Sequence, residues 1–393
     1  MSRYFFIFFI LVRPVMDLFI DIEIFKNVNF NVAINLFLIL ICGIAVIKNI
    51  NLIRKNKFIL TFNKIFIVFF IFSTFSLINT KNYIISISDL FRLITLIISF
   101  DYVFIFFQEE KKCLLLLKCL IFSSIIPIGF GLYQFIFNMG LKDNTGFNRI
   151  YGTFIHPNVF ALYLIMILFL NIFVLSTINI NIIKKICYAG FSLIVIFEIY
   201  ETYTRAVWIG LGIGLLIYFL LGKNKVYKKI FYLLLMIFSL FLLSPFILKR
   251  WEGSQLDSWV WRIGLWKKVI AETDIKSYFI GKGIGMFQYD VNVMAHNDYL
   301  RIFYEIGGLG LICYFLLFFY ILRYSIKSVF KSKIVNENNK YRAISCLIII
   351  LLVVSFSDNV LRNLGVLMYY FTAMSLLNNF FNPDKKSANW THI

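Results

Sequence analysis

The residue of this sequence best suited to acid–base chemistry is His296, within the segment AHNDYL. The chain has three histidines, His156, His296 and His392. Asn297 or Asp298 can cap a helix that begins here, and His296 would then lie against the positive end of the helix dipole. That position disfavours the imidazolium form and keeps a neutral base available at neutral pH. A plainer interpretation, an interfacial polar residue at a helix start, stays open.

Three arginines, Arg149, Arg205 and Arg262, stand at the ends of apolar segments or between them. A guanidinium fork binds phosphate oxygens in pairs, and the start of a helix beside His296 also suits an anion. The predicted ligand is therefore a lipid-linked phosphate or diphosphate. The alternative is that Arg149 and Arg205 only extend toward lipid headgroups.

The elements that position these residues are predicted to be membrane-spanning helices. Of 393 residues, 61 % are hydrophobic and only 15 % are charged, whereas soluble domains have about 45–50 % apolar and about 25 % charged residues. This composition excludes a soluble enzyme and a disordered chain. The six cysteines form no CxxC pair, so neither a disulfide framework nor a zinc site is predicted. The predicted fold class is an all-α integral membrane protein.

Apolar runs divide the chain into about 12 transmembrane helices, at roughly 20 residues each. The predicted spans are 4–22, 31–47, 58–79, 83–107, 113–137, 156–177, 186–201, 204–222, 229–248, 298–322, 341–357 and 361–380. Most basic residues fall in loops on the N-terminal side, so both termini are predicted to be cytoplasmic. The short loops of the other side hold only Lys26, Lys81, Lys142 and Arg149. The net charge of +19 is thus mainly a topological signal, and nucleic-acid binding is not predicted.

One long segment, 249–297, is predicted to form a large external loop between spans nine and ten. Within it, residues 257–272 are predicted to form an amphipathic helix on the outer leaflet. Its apolar face is predicted to consist of Trp259, Ile263, Trp266 and Ile270. Arg262 is expected on the flank of that face, toward the lipid headgroups. The following GKGIGMF is predicted to be a tight glycine turn that returns the chain to the membrane.

Ionisable residues inside the predicted spans are functional candidates, because charge is costly in the hydrocarbon region. Asp89 and Arg92 are three residues apart on the fourth span, and we expect them to neutralise each other as a structural pair. Asp358 has no assigned partner at this level.

Five segments in order resemble the bacterial O-antigen ligase/polymerase family. They are RIYGTFIHPNVFALYL (Arg149–Leu164), TYTRAVWIGLGIGLL (Thr202–Leu216), WRIGLWKKVI (Trp261–Ile270), GKGIGMF (Gly281–Phe287) and AHNDYLRIFYEIGGLGLICYFLL (Ala295–Leu317), followed by SDNVLR (Ser357–Arg362). Members are polytopic inner-membrane glycosyltransferases with a large external loop. They use undecaprenyl-diphosphate-linked glycans as donors, without a nucleotide sugar or a metal.

The resemblance implies roles for particular residues. His296 matches the histidine taken as the general base, and Arg205 and Arg262 match arginines that bind the substrate diphosphate. Arg149 matches a further motif arginine, which we place in the same binding set. One departure is His156-Pro157-Asn158, where the family motif usually reads NPN, so His156 is left out of the catalytic set.

The resemblance also implies an organisation and a setting. Residues 1–145 would form N-terminal transmembrane helices, 146–380 the O-antigen ligase/polymerase-like membrane domain with external loop 249–297, and 381–393 a cytoplasmic tail. The protein would be a multi-pass protein of the bacterial cytoplasmic (inner) membrane, with its active site on the external, periplasmic face. Its expected partners are the lipid bilayer, an undecaprenyl-diphosphate-linked oligosaccharide donor and a glycan acceptor. A chain-length regulator is a further candidate partner, and no cofactor is expected.

Several functions remain open on the sequence. The favoured one is a metal-independent, inverting polysaccharide polymerase for O-antigen, capsule or exopolysaccharide. A ligase that transfers glycan to lipid A-core shares its motifs. A metal-dependent glycosyltransferase could use Asp21-Ile22-Glu23 in the first external loop, and full activity in EDTA would exclude it. A lipid-glycan transporter predicts a two-fold repeat of the halves, which the sequence does not display.

Overall fold

The computed structural model describes residues 2–19, 23–25, 28–142, 146, 148–222 and 255–380. These residues are mainly helical, with two short antiparallel hairpins, which confirms the predicted all-α class. The α-helices are α1 (Ser2–Val12), α2 (Phe30–Lys48), α3 (Ile50–Lys55), α4 (Lys57–Phe75), α5 (Tyr83–Phe106), α6 (Glu110–Phe122), α7 (Ile125–Ile136), α8 (Pro157–Thr177), α9 (Ile182–Glu201), α10 (Arg205–Leu220), α11 (Gln255–Ala271), α12 (Ile275–Ile280), α13 (Met286–Val291), α14 (Asp298–Lys331), α15 (Val335–Ser355) and α16 (Leu364–Asn379). Strands β1 (Glu23–Phe25) and β2 (Val28–Asn29) form one hairpin, and β3 (Leu141–Lys142) and β4 (Asn148–Arg149) form the other. Short 3₁₀ turns cover Arg13–Phe19, Ser76–Asn79 and Val360–Arg362.

Within the described part of the chain, 6 helical segments are long and apolar enough to cross a membrane. They are Lys57–Asn79, Tyr83–Phe106, Glu110–Ile136, Pro157–Thr177, Asp298–Lys331 and Val335–Ser355, and each coincides with a predicted span. Two shorter apolar helices, Asn35–Lys48 and Arg205–Leu220, coincide with two more. The predicted span 229–248 and the tail 381–393 lie outside the described residues. A membrane-spanning architecture is thus supported, and a total of 12 spans is not confirmed.

Helix α8 lies at the centre of the bundle. Nearly all of its residues are buried, because α9, α15, α16 and α10 pack around it. A helix that is apolar on every side is expected where it is surrounded by others. Helix α4 instead exposes Ile67, Val68 and Ile71, an apolar surface of the kind that faces lipid.

The predicted pair of Asp89 and Arg92 is confirmed. An Nη1 of Arg92 lies 2.6 Å from Oδ1 of Asp89. The two residues line a small cavity together with Arg301 and Glu305 of α14. Opposite charges from α5 and α14 therefore share one partly enclosed space, which fits a structural role.

Helix α14 is broken at Gly307, and the glycine segment packs into the break. Gly307 has φ +83° and ψ 178°, which leaves the carbonyls of Tyr304 and Glu305 without helical partners. The amides of Lys282 and Gly283 donate to them at 2.8 and 3.0 Å. A Cβ on Gly281 would lie 2.2 Å from the Glu305 carbonyl oxygen, so only glycine allows this approach. The predicted tight turn is confirmed, and it holds the first part of α14 in place.

The predicted amphipathic helix exists as α11, but its packed face differs from the prediction. Leu265, Trp266 and Val269 pack against Phe287 and Ala295. Two side chains of the predicted face, Ile263 and Ile270, are 44 % and 46 % exposed. The apolar stripe is wider than the surface that covers it, and spacing alone does not show which part is covered. The side chain of Trp259 lies outside the described residues.

Candidate active site

His296 lies directly before α14, as predicted, in a tightly held turn. Asn297 is the N-cap of α14, and its side chain accepts a hydrogen bond from the Leu300 amide at 3.0 Å. The indole of Trp266 donates to the Ala295 carbonyl at 2.9 Å, which fixes α11 to the same turn. His296 itself has φ +49°, a conformation that is uncommon outside glycine and often marks a functional position.

The surroundings of His296 favour the neutral imidazole. Burial first, and the positive charge of Arg262 second, lower the pKa of His296 to about 4. Its Nδ1 atom is buried without a hydrogen-bond partner among the described residues. The ring of Trp261 lies 6.2 Å from the imidazole, edge to face. A neutral histidine that is not committed to another group is what a general base requires.

Arg262 lies on the packed side of α11, not on a flank directed at lipid. Its Nη1 donates to the Ser357 carbonyl at 3.2 Å, in the loop that follows α15. Burial lowers the pKa of Arg262, and the charge of Asp358 opposes this shift; the guanidinium stays positive at any physiological pH. The sequence expectation for the direction of Arg262 is therefore wrong, because the loop after α15 offers acceptors that the pattern of α11 does not reveal.

Arg149 is held by hydrogen bonds to segments that do not include α11 or α14. It ends β4, and its Nε donates to the Thr202 carbonyl at 2.8 Å. Its Nη2 donates to Asn158 Oδ1 at 2.7 Å and to Thr204 Oγ1 at 3.2 Å. These contacts join the second hairpin, the start of α8 and the turn between α9 and α10.

Arg205 is the first residue of α10, directly after the N-cap Thr204. It is half-buried and adjoins Arg149 through Thr204. The preceding Tyr203 has φ +49°, so the turn that presents Arg205 is strained in the same sense as the turn at His296. The helix start supplies positive potential at the same place.

Asp358 connects the two sides of the site, and the sequence assigned it no role. Burial raises its pKa, while the amide of Asn359, the side chain of Asn158 and the charges of Arg262 and Arg149 lower it. The Asn359 amide donates to Asp358 Oδ1 at 2.8 Å. The one available signal was its place in SDNVLR, the last motif of the resemblance.

Asp298 anchors the loop that carries Asp358. Its Oδ2 accepts from the Leu361 amide at 2.9 Å and from Ser355 Oγ at 3.2 Å. Arg301 lies one turn further along α14, with Nε 3.5 Å from Asp298 Oδ1. The residue two positions after His296 therefore fixes the partners of Arg262.

His156 has a structural task at the start of α8. It is the N-cap, and its Nδ1 accepts from the Asn158 amide at 3.1 Å. Burial and the nearby charges of Arg149 and His296 lower the pKa of His156 to about 4. An asparagine at an N-cap makes the same type of bond, which explains how histidine occupies a position where the family motif has asparagine.

The charge of Arg262 acts on His296, and the charges of Arg262 and Arg149 both act on Asp358. Arg205 follows Thr204, which accepts a hydrogen bond from Arg149. Among the described residues, no group of three or more His, Cys, Asp and Glu side chains is arranged to hold a metal ion. Asp21 and Ile22 of the alternative acidic motif lie outside the described residues.

Comparison with known proteins identifies one domain. Residues 190–315 match the Wzy_C family, described as O-antigen ligase. The matched segment includes Arg205, Arg262 and His296, whereas Arg149 and Asp358 lie outside it. No curated protein matches the chain. The match agrees with the resemblance found in the sequence motifs, and it makes residues 190–315 similar to the O-antigen ligase family.

Proposed function

We propose that the protein is a metal-independent, inverting glycosyltransferase that polymerises lipid-linked oligosaccharide repeats. The observation that carries the proposal is the pairing of a neutral, uncommitted His296 with Arg262 inside the matched domain. A base and a phosphate-binding cation side by side are the two groups needed for transfer from a diphosphate donor.

The chemical step is a single displacement. The hydroxyl oxygen of the acceptor sugar attacks the anomeric carbon of the donor glycan while His296 takes the hydroxyl proton. The bond between that carbon and the phosphate oxygen breaks, and its electron pair leaves with undecaprenyl diphosphate. Attack from the face opposite the leaving group inverts the anomeric centre.

The arginines act on the leaving group. Arg205 and Arg262 are proposed to hold the diphosphate, and Arg149 completes the set from the far side of Asp358. Negative charge grows on the leaving oxygen during bond cleavage, so cations positioned in advance lower the barrier. Asp358 lies near Arg149 and Arg262, and it keeps these like charges together before the substrate arrives.

The setting follows from the same proposal. The site would face the outer side of the bacterial cytoplasmic membrane, where lipid-linked repeats accumulate, and both termini would be cytoplasmic. Donor and acceptor are each undecaprenyl-diphosphate-linked, so both enter laterally from the bilayer. A chain-length regulator would act on the growing product, not on the chemistry.

A ligase that transfers glycan to lipid A-core is the second candidate, because the matched family is described as O-antigen ligase. The test is to give detergent-purified protein only lipid-linked repeats and to separate the products by size. A polymerase yields a ladder of multiples of the repeat from lipid-linked repeats alone. A ligase yields no product until lipid A-core is added, and then it yields lipid A-core that carries the transferred glycan. No product under either condition would contradict both functions.

Two further measurements separate the remaining classes. Full activity in EDTA is expected, and loss of activity that returns with a divalent ion would replace this proposal by a metal-dependent mechanism. Release of undecaprenyl diphosphate from the donor without any gradient is expected of a transferase, whereas a transporter would leave the donor intact. The anomeric configuration of the new bond, read by NMR, tests inversion.

A further inference from the structure

A second feature lies at the ends of α8 and α9 that are remote from the candidate active site. It is an apolar groove of about 530 Å³ between α6, α8 and α9. Leu117, Ile121, Val174, Ile178 and Phe191 are among the apolar side chains that line it. Its volume falls in the range of about 300–1,000 Å³ that is typical of small-molecule ligand sites. The groove is large and apolar enough to accept a hydrocarbon chain.

Two lysines give the groove a positive edge. Lys118 and Lys184 both line it, and both are exposed. Neither forms an ion pair with a carboxylate in the part of the chain that the structure describes. Lys118 lies about 12 Å along the helix from Glu110, at 1.5 Å per residue. Because Glu110–Ile136 is a candidate membrane span, a lysine within it requires an anion or an aqueous path to its ammonium.

We propose that this groove is a binding site for one anionic phospholipid. An acyl chain occupies the apolar channel, and the phosphate of the headgroup lies between Lys118 and Lys184. Charge complementarity selects the occupant: a net negative headgroup neutralises the two ammonium groups, whereas a zwitterionic headgroup brings its own cation. The charge pattern of the sequence predicts this end of α6 and α9 to be cytoplasmic, where juxtamembrane lysines contact anionic lipid. The proposal does not depend on the proposed enzyme function.

The protein carries its own reporter for this site. Cys187 lines the groove and is exposed, whereas the other five cysteines are buried. A lipid in the groove covers the Cys187 thiol and slows its alkylation by N-ethylmaleimide. The rate is compared for the purified full chain in vesicles of phosphatidylcholine alone and in phosphatidylcholine mixed with phosphatidylglycerol of the same acyl chains.

Two double variants provide the matched comparison. In K118Q/K184Q both groove lysines are neutral, and in K111Q/K185Q two exposed lysines of the same helices, which do not line the groove, are neutral. We expect phosphatidylglycerol to slow labelling of the wild type and of K111Q/K185Q. In K118Q/K184Q the protection should disappear, because each lysine is worth about fivefold in anionic-lipid affinity. An anionic membrane surface can also slow alkylation by lowering the thiolate fraction of Cys187. This effect is the same in both double variants, so it does not contribute to the difference between them.

The result that overturns the proposal is equally defined. Equal protection in the two double variants, or no protection of the wild type by phosphatidylglycerol, would exclude a specific anionic-lipid site. Native mass spectrometry of the wild type titrated with either lipid decides the question if K118Q/K184Q does not fold. Retention of one phosphatidylglycerol in preference to phosphatidylcholine supports the site, and equal retention of both contradicts it.

Discussion

The two sides of the candidate active site are built differently. The arginine corner consists of Arg149, Asn158, Thr202 and Thr204, and its guanidinium donates to three neutral acceptors. The histidine corner consists of Arg262, His296 and Asp358, which come from three separate segments, and the charge of Arg262 acts on both of the others. Hydrogen bonds in the first corner connect three segments of the fold. In the second corner charges are brought together, and their positions depend on how α11 packs against the rest of the protein. We therefore expect substitutions in the arginine corner to lower stability more, and substitutions in the histidine corner to lower the rate more.

The largest expected effect is a loss of kcat on replacing His296, and it should not occur to the same extent on replacing His156. Replacing His296 by Gln removes the proposed base and should lower kcat by about 10²–10⁴-fold, with little change in thermal stability because its Nδ1 atom bonds no described residue. Replacing His156 by Gln removes the cap of α8 and should lower stability by about 1 kcal/mol, with a smaller loss of rate. His392→Gln, in the C-terminal tail, is the control for the substitution itself.

Both readouts come from the ladder assay and from thermal unfolding in detergent. Full turnover by His296→Gln would remove the residue from the mechanism. His156 accepts from the amide of Asn158, a member of the arginine corner, so equal rate losses in the two variants would show that the corners are not distinct.

The next effect compares the two arginines by replacing each with lysine, which keeps the charge and removes the fork. In Arg149→Lys the Thr202 carbonyl loses its 2.8 Å hydrogen bond and Asn158 Oδ1 keeps only the Thr204 hydroxyl, so we expect stability to fall by about 1.5–3 kcal/mol, the value of a hydrogen bond to a charged group. In Arg262→Lys we expect a fall in kcat of about 10²–10³-fold, the value of one transition-state donor, with a smaller loss of stability. Unfolding curves and initial rates of the same preparations test this, and a reversed order of the two melting temperatures would contradict the comparison.

The sequence predicted the helices and the side chains of each corner far better than the contacts that bring them together. Hydropathy located the six long spans, and helix-capping rules located the start of α14 at Asn297 or Asp298, of which Asn297 is the cap in the structure. The proximity of Arg262 to Asp358 could not be read from spacing, because it rests on a contact between α11 and a loop more than one helix further along the chain. The break at Gly307 was hidden as well, since a glycine pair inside an apolar run fits an unbroken helix equally well.

A moderate effect tests how the histidine corner is held. Asp298 accepts from the Leu361 amide and from Ser355 Oγ, and so fixes the loop that carries Ser357 and Asp358. Asp298→Ala should lower kcat about tenfold, because the acceptors of Arg262 move, while Asn297, directly after His296, still caps α14. Ser355→Ala removes the 3.2 Å bond to Asp298 and the 3.3 Å contact with the Tyr314 hydroxyl. It leaves the bond between Asp298 and the Leu361 amide in place and should change the rate much less.

A KM effect equal to the kcat effect in Asp298→Ala would point to substrate binding and not to positioning. Rescue of part of the rate by Asp298→Asn, which retains one acceptor oxygen for the Leu361 amide, is the expected mark of a positioning residue.

The smallest effect concerns pH and separates burial from charge at His296. Its pKa is lowered from 6.5 to about 4, first by burial and second by Arg262. The base is therefore neutral through the range above pH 5, and kcat/KM, which reports the free enzyme, should be flat there and fall as pH drops toward 4. Arg262→Gln removes the smaller cause, so the acidic limb should move upward by no more than half of the total shift, whereas Arg262→Lys keeps the charge and should leave the limb in place. If the limb stays unchanged in Arg262→Gln, burial alone keeps His296 neutral, and the cation beside it acts only on the departing diphosphate.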